Sequence, residues 1–193
     1  MEELKIKHKT YEVNEIISDN VFKCTFKNKE YLVYKYEPKS DKFDQKSFTF
    51  KKLKECGVNT PKLIAIDKKS GCIVREFVSG ISMFDYILEN DFNEDIYKKI
   101  FLNSYMARIA GLNLNYDLSE WLLVGSELYY VGVYVDKYNP NYDFTKGDMK
   151  KWFFTKDLAK YYEKNGVLFD KSRIKEEHAV NKEMVLMTCK YYL

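Results

Sequence analysis

Tyr11-Glu12-Val13-Asn14-Glu15-Ile16-Ile17, Val21-Phe22-Lys23-Cys24-Thr25-Phe26 and Glu30-Tyr31-Leu32-Val33-Tyr34-Lys35-Tyr36 are three short runs rich in β-branched and aromatic residues. The polar triplets Ser18-Asp19-Asn20 and Lys27-Asn28-Lys29 separate them, so the stretch predicts an antiparallel meander. Pro38 and Lys39-Ser40-Asp41 break the pattern, after which Phe43, Phe50, Leu53 and Cys56 recur at near-helical spacing up to Gly57. Leu63 to Ile66 and Cys72 to Phe77, joined by Asp67-Lys68-Lys69-Ser70-Gly71, predict a second hairpin. Five strands and one helix therefore occupy the first part of the chain.

From Ser82 the pattern turns helical, with a short segment to Glu89 and a long one from Asn93, an N-cap residue type, to Ala110 before Gly111. A small hairpin, Trp121 to Val124 and Leu128 to Tyr134, turns at Gly125-Ser126. The loop Asp136 to Asp143 then leads to helical segments near Gly147 to Phe154, Thr155 to Asn165 and Lys171 to Tyr192. The fold class expected is α+β.

The 193 residues suffice for one domain or two tightly packed lobes. A composition of 46% hydrophobic and 17% aromatic residues is that of a folded chain, and since a tyrosine can bury its ring and keep its hydroxyl wet, the 17 tyrosines need no special function. With 32 basic against 29 acidic residues, the formal charge of +3 does not argue for nucleic acid, and no specific nucleic-acid partner is expected. Cys24, Cys56, Cys72 and Cys189 show no CxxC spacing and no neighbouring histidine, so they read as buried reduced thiols. His8 and His178 read as structural or surface residues. No apolar run approaches the roughly 18 residues that cross a bilayer. Met1-Glu2-Glu3-Leu4-Lys5 lacks the layout of a secretory signal, and the expectation is a cytoplasmic protein without a membrane partner.

Three stretches carry a family resemblance. Tyr31-Leu32-Val33-Tyr34-Lys35-Tyr36 resembles a third strand bearing a phosphate-pairing lysine. Gly57-Val58-Asn59-Thr60-Pro61-Lys62-Leu63 resembles the Gly-Val-x-x-Pro step of small kinases. Ile73-Val74-Arg75-Glu76-Phe77-Val78-Ser79-Gly80, the most specific match, resembles a fifth strand running into the hinge that grips adenine. With the element order, these make the chain similar to the protein-kinase-like superfamily, in particular small atypical kinases of the Bud/RIO or aminoglycoside phosphotransferase type. The resemblance implies a two-lobed fold within a single domain over 1–193. Residues 1–78 would form a five-stranded antiparallel lobe with one helix, and 79–193 a small helical lobe.

The resemblance also implies site residues. Lys35 would pair nucleotide phosphates, and Glu76, Phe77 and Val78 would hold the base. The helix glutamate that normally orients such a lysine falls at Lys46; Asp44 would substitute only in a shifted helix, and otherwise reads as a surface or capping carboxylate. The turn Ser18-Asp19-Asn20-Val21, where phosphate-cradling amides are implied, has no glycine. Asn115-Tyr116-Asp117-Leu118-Ser119 resembles a catalytic loop with Asp117 as base, although an Asp before Leu-Ser also suits a turn or cap. The metal-binding asparagine falls at Leu122 beside Trp121, and the principal metal-binding aspartate at Gly132. Asp136 is the candidate metal ligand in a changed register, with Glu120 and Asp143 as looser ones.

The first functional expectation is a nucleotide-binding pseudokinase lacking the standard metal site, with ATP as ligand. The second is an active atypical ATP-dependent phosphotransferase using magnesium, with Asp117 as base. The third is a non-catalytic module that binds a protein partner through its Tyr-rich surface.

Overall fold

The computed structural model describes residues 2–91 and 93–193. Met1, which opens the stretch read for a secretory signal, lies outside them. The chain divides into two compact units, Met1–Glu55 with Thr60–Ser79, and Cys56–Asn59 with Gly80–Leu193.

The first unit is an antiparallel sheet and one helix: β1 (Glu3–Ile6), β2 (Lys9–Ser18), β3 (Val21–Phe26), β4 (Lys29–Lys35), α1 (Asp41–Glu55), β5 (Leu63–Asp67) and β6 (Cys72–Glu76). The sheet has six strands, in the order β1-β2-β3-β4-β6-β5, where the sequence predicted five. The addition is β1, a run of four residues whose Leu4 and Ile6 alternate with Glu3 and Lys5. It gains its partners only when Leu4 pairs with Tyr11 and Ile6 with Lys9. Between β3 and β4, Lys27 and Asn28 both take positive φ, the two-residue turn whose twist matches a hairpin. Gly71 closes the β5–β6 turn at φ +67°; a Cβ there would meet the Tyr36 carbonyl oxygen at 2.1 Å.

Side chains alternate between the two faces of a strand, and cross-strand partners share a face. On one face Leu4, Ile6, Tyr11, Phe22, Cys24, Val33, Cys72 and Val74 form a buried cluster. Burial there pushes the Cys24 thiol up to about 11. On the other face Tyr34 and Arg75 lie under α1: the Tyr34 ring is 5.1 Å from that of Phe50, and the Arg75 guanidinium carbon is 4.6 Å from the Phe50 centroid. Ser40 starts α1 by accepting the Phe43 N–H at its hydroxyl, 3.2 Å away. Asp41 and Asp44 then complement the helix dipole, so Asp44 is an exposed first-turn carboxylate.

The second unit contains β7 (Ile81–Ser82), α2 (Met83–Glu89), α3 (Glu94–Ile109), β8 (Leu112–Leu114), β9 (Trp121–Val124), β10 (Glu127–Tyr130), β11 (Val135–Lys137), α4 (Lys156–Lys164) and α5 (Glu177–Tyr191). Its small sheets run β10-β9-β7 and β11-β8. Asn93 caps α3 by accepting the Ile96 N–H, and Thr155 caps α4 by accepting the Leu158 N–H. The segments predicted as helical near 147–154 and from 171 begin as 3-10 turns, Asp148–Trp152 and Lys171–Arg173. Cys56–Asn59 belongs here because the Asn59 carbonyl accepts the Tyr130 N–H, its side-chain amide donates to the Leu128 carbonyl and its backbone N–H donates to Asn103 Oδ1. Arg173 donates to the carbonyls of Ile87, Leu88 and Asn90, placing a cation on the C-terminal end of α2. Cys24, Cys56 and Cys72 are buried as expected, whereas Cys189 is exposed on α5. His8 and His178 are exposed. Among the described residues no helix is long and apolar enough to cross a membrane.

Phe50 is 2% exposed and is the side chain through which α1 meets the sheet. Phe50→Ala is expected to cost about 3 kcal/mol, the usual range for truncating a packed aromatic, read as a lower midpoint in urea unfolding followed by circular dichroism.

Candidate functional site

The loop carrying Asp117 is held from beneath by two indoles. Trp121 Nε1 donates to the Asn115 carbonyl at 3.1 Å and Trp152 Nε1 to the Tyr116 carbonyl at 2.9 Å. Both tryptophans are fully buried, so each satisfies its own polar atom and a loop carbonyl in one bond. Asn115 Oδ1 accepts the Asp117 N–H, and Asp117 caps the 3-10 turn Leu118–Glu120. Asp117 Oδ1 accepts three donors: the Ser119 N–H at 3.1 Å, the Ser119 hydroxyl at 2.7 Å and the Tyr161 hydroxyl at 2.7 Å. Burial pushes this carboxyl up, but the Tyr161 and Ser119 bonds, with Lys151 nearby, outweigh it and hold Asp117 below its ordinary value. Tyr161 is pushed up by burial and by Asp117, and remains a donor. Asp117 is thus an ionised carboxylate fixed in a cap; the residue type is right for a base, and one of its oxygens is engaged three times.

The positions where metal ligands are implied, Leu122 and Gly132, lie beside packed aromatics. Trp121 packs on Tyr130 with centroids 5.0 Å apart and the rings tilted at 49°, and meets Trp152 edge-on at 5.9 Å. A Cβ at Gly132 would lie 2.3 Å from the Tyr130 ring and hydroxyl. Tyr130 has little room to retreat, being fully buried and donating its hydroxyl to the Tyr134 carbonyl at 2.7 Å. Leu122, the other implied position, pairs with Tyr129 and Ser82 in the three-stranded sheet. The residues present at these two positions do not fit a magnesium ion. Asp136 is exposed on β11 opposite Asn113. Asp143 is 6% exposed and is committed elsewhere: Oδ1 accepts the Thr145 N–H and hydroxyl, and Oδ2 accepts the hydroxyls of Tyr138 and Tyr192. Among the described residues no cluster of three or more His, Cys, Asp or Glu side chains is arranged to hold a metal.

In the first unit Lys35 pairs with Cys72 and so shares the sheet face of Val33 and Val74. Tyr34, one residue earlier, takes the face that α1 covers. No residue of α1 is therefore opposed to Lys35 through the sheet face it would need, and its exposed ammonium is a rim charge. The lysine on the α1-bearing face is Lys23, which pairs with Leu32, bridges Glu30 at 2.7 Å and lies 4.1 Å from the Phe77 centroid. Sequence reading passed over Lys23 because its strand was not placed against α1; its position two residues from Thr25 and Val21 in an alternating strand was the available signal. Glu76 ends β6 with its N–H donated to the Lys62 carbonyl, and the Phe77 N–H goes to the Glu30 carbonyl. Phe77 and Val78 are half-buried.

No protein-family model and no curated protein matches the chain.

Asp143 and Asp117 both have carboxyls held below their ordinary value, Asp143 through the Tyr192, Thr145 and Tyr138 bonds acting against burial. The unfolded chain therefore takes up these protons first as pH falls. Their stabilisation is complete above about pH 4, the unfolded carboxylate range, and is lost as pH drops through the lower folded values. Urea titrations across acid pH are expected to show this decline, and Asp143→Asn is expected to flatten it while costing about 1–3 kcal/mol at pH 7. An unchanged acid slope in that variant would contradict the assignment.

Proposed function

We propose that the chain is a divergent kinase-like protein that does not transfer phosphoryl groups through a metal, a pseudokinase that holds nucleotide at Glu76–Gly80. The observation that carries the reading is Gly132 against the buried Tyr130–Trp121 pair: where similar proteins are implied to have metal ligands, this chain has Leu122, next to the buried Trp121, and a glycine whose side-chain space is taken by Tyr130. Further support comes from the order of elements: the antiparallel meander β1–β4, one strand longer than the implied order, is followed by a helix and then two more strands in the same sheet. The helical unit follows with its loop and hairpin.

On this reading Asp117 keeps the position of a base and acts as a cap. With the Glu76 and Phe77 N–H groups bonded to the Lys62 and Glu30 carbonyls, the base-holding contacts fall to the carbonyls of Glu76 and Phe77 and the backbone of Val78, with Lys23 supplying the positive charge on the α1-bearing face in place of Lys35. The protein-interaction module remains the outcome if no nucleotide is held.

Thermal denaturation with adenosine and with ATP, each with and without magnesium, tests the proposal, since a ligand selective for the native state raises the melting temperature. Stabilisation independent of magnesium, reduced by Lys23→Ala and retained in Lys35→Ala, is expected. Magnesium-dependent stabilisation with phosphate release abolished by Asp117→Asn would establish the active phosphotransferase instead, and no shift with adenosine or ATP would leave the interaction module.

A further inference from the structure

Two turns that are 60 residues apart in sequence meet in the first unit. Asp67 Oδ2 accepts the Lys7 N–H at 2.8 Å and Oδ1 accepts the Lys69 N–H at 3.0 Å. The carboxylate is thereby spent on backbone donors, with the Lys7 bond foremost among the effects that hold it below its ordinary value. Lys7 adopts φ +55°, a conformation that costs energy for a residue with a side chain. Around this latch lies a shallow cavity of about 530 Å³, lined by Lys5, Lys7, His8, Lys68, Lys69 and Ser70 in addition to Asp67.

The composition of the lining is selective. Four exposed lysines line it, while its single carboxylate, Asp67, accepts backbone N–H groups. Among the described residues none of these lysines forms an ion pair. Lys35 and Asp67 flank Cys72 from opposite sides of β6. The first unit as a whole carries 17 Lys and Arg against 12 Asp and Glu, an excess larger than the +3 of the entire chain. Like charges gathered at a fixed site repel one another, and a counter-anion relieves that repulsion. The cations are all lysines, compact point charges without the planar fork with which arginine grips a carboxylate. A compact anion with several charges fits this arrangement better than a single carboxylate.

We propose that the cavity between the Lys7-His8 turn and the Asp67–Gly71 turn binds a multivalent phosphate anion, either inorganic polyphosphate or the phosphate tail of a nucleotide. This inference stands apart from the kinase-like reading, because it uses neither Glu76–Gly80 nor the α1-bearing face of the sheet.

Isothermal titration of the full chain at low ionic strength with sodium tripolyphosphate, ADP and adenosine tests it. Tripolyphosphate is expected to bind and to weaken as salt is raised. The double variant Lys68→Glu/Lys69→Glu is expected to lose about tenfold or more in affinity, as is Lys5→Glu/Lys7→Glu on the other turn, with circular dichroism confirming that each is folded. The control Lys98→Glu/Lys182→Glu, in the other unit, is expected to bind as the parent does. ADP binding with the same lysine dependence would identify a nucleotide tail as the source, and tripolyphosphate binding without ADP binding would identify inorganic polyphosphate. No binding by the parent chain, or an equal loss in the control, would overturn the proposal. Adenosine carries no phosphate, so its failure to bind would count against the nucleotide reading at Glu76–Gly80 and leave this one standing.

Discussion

Two indole N–H groups bond two consecutive carbonyls, those of Asn115 and Tyr116, and the second unit is organised around that pair of contacts. A buried carbonyl without a donor costs about 1–3 kcal/mol, so a loop lying on an aromatic core requires donors rising out of that core. Tryptophan supplies one without surrendering apolar area. The arrangement fixes Trp121 and Trp152 edge to face, and the remaining space is filled by Tyr116, Tyr130 and Phe144. Asp117 inherits its place from this packing: its own carboxylate only completes the cap, while the backbone on either side is set by the rings beneath.

Where chemistry is local, the sequence was legible. Asn93 and Thr155 announce the helices they cap, because a short polar side chain followed by a periodic apolar run has few other uses. The β3–β4 turn was equally visible in Lys27-Asn28. β1 was not, since four residues with two apolar side chains carry no signal until β2 supplies Tyr11 as a partner. The face of Lys35 was hidden for a related reason. Alternation fixes that Tyr34 and Lys35 point opposite ways, but which of them meets α1 depends on the packing of Phe50 against Tyr34 and Arg75, a contact between separate elements.

The candidate site was legible as residue types and illegible as partnerships. Asp117 and Asp143 stood out as loop carboxylates, yet the hydroxyls that occupy them come from Tyr161 and Tyr192, 44 and 49 residues further along. The abundance of tyrosine, which sequence alone left without a role, has one here: buried tyrosines donate to carboxylates that would otherwise be stranded in low dielectric. Burial and the carboxylate acceptor both push these hydroxyls up, so they remain donors while the acids stay ionised.

The closed space at Gly132 is therefore not something that one substitution opens. An aspartate at that position needs the Tyr130 ring to move, and Tyr130 is tied to Trp121 by a tilted ring contact, to the Tyr134 carbonyl by its hydroxyl and to the Asn59 carbonyl by its N–H. Displacing it opens space beside Trp121, which in turn meets Trp152 edge-on, and loosens the donors that hold Asn115 and Tyr116. The incoming carboxylate would also need compensation for burial, at a position that is itself buried. Packing, loop carbonyls and the cap at Asp117 form one coupled network, and the same contacts that keep the loop in place exclude an acid from the position where a metal ligand is implied.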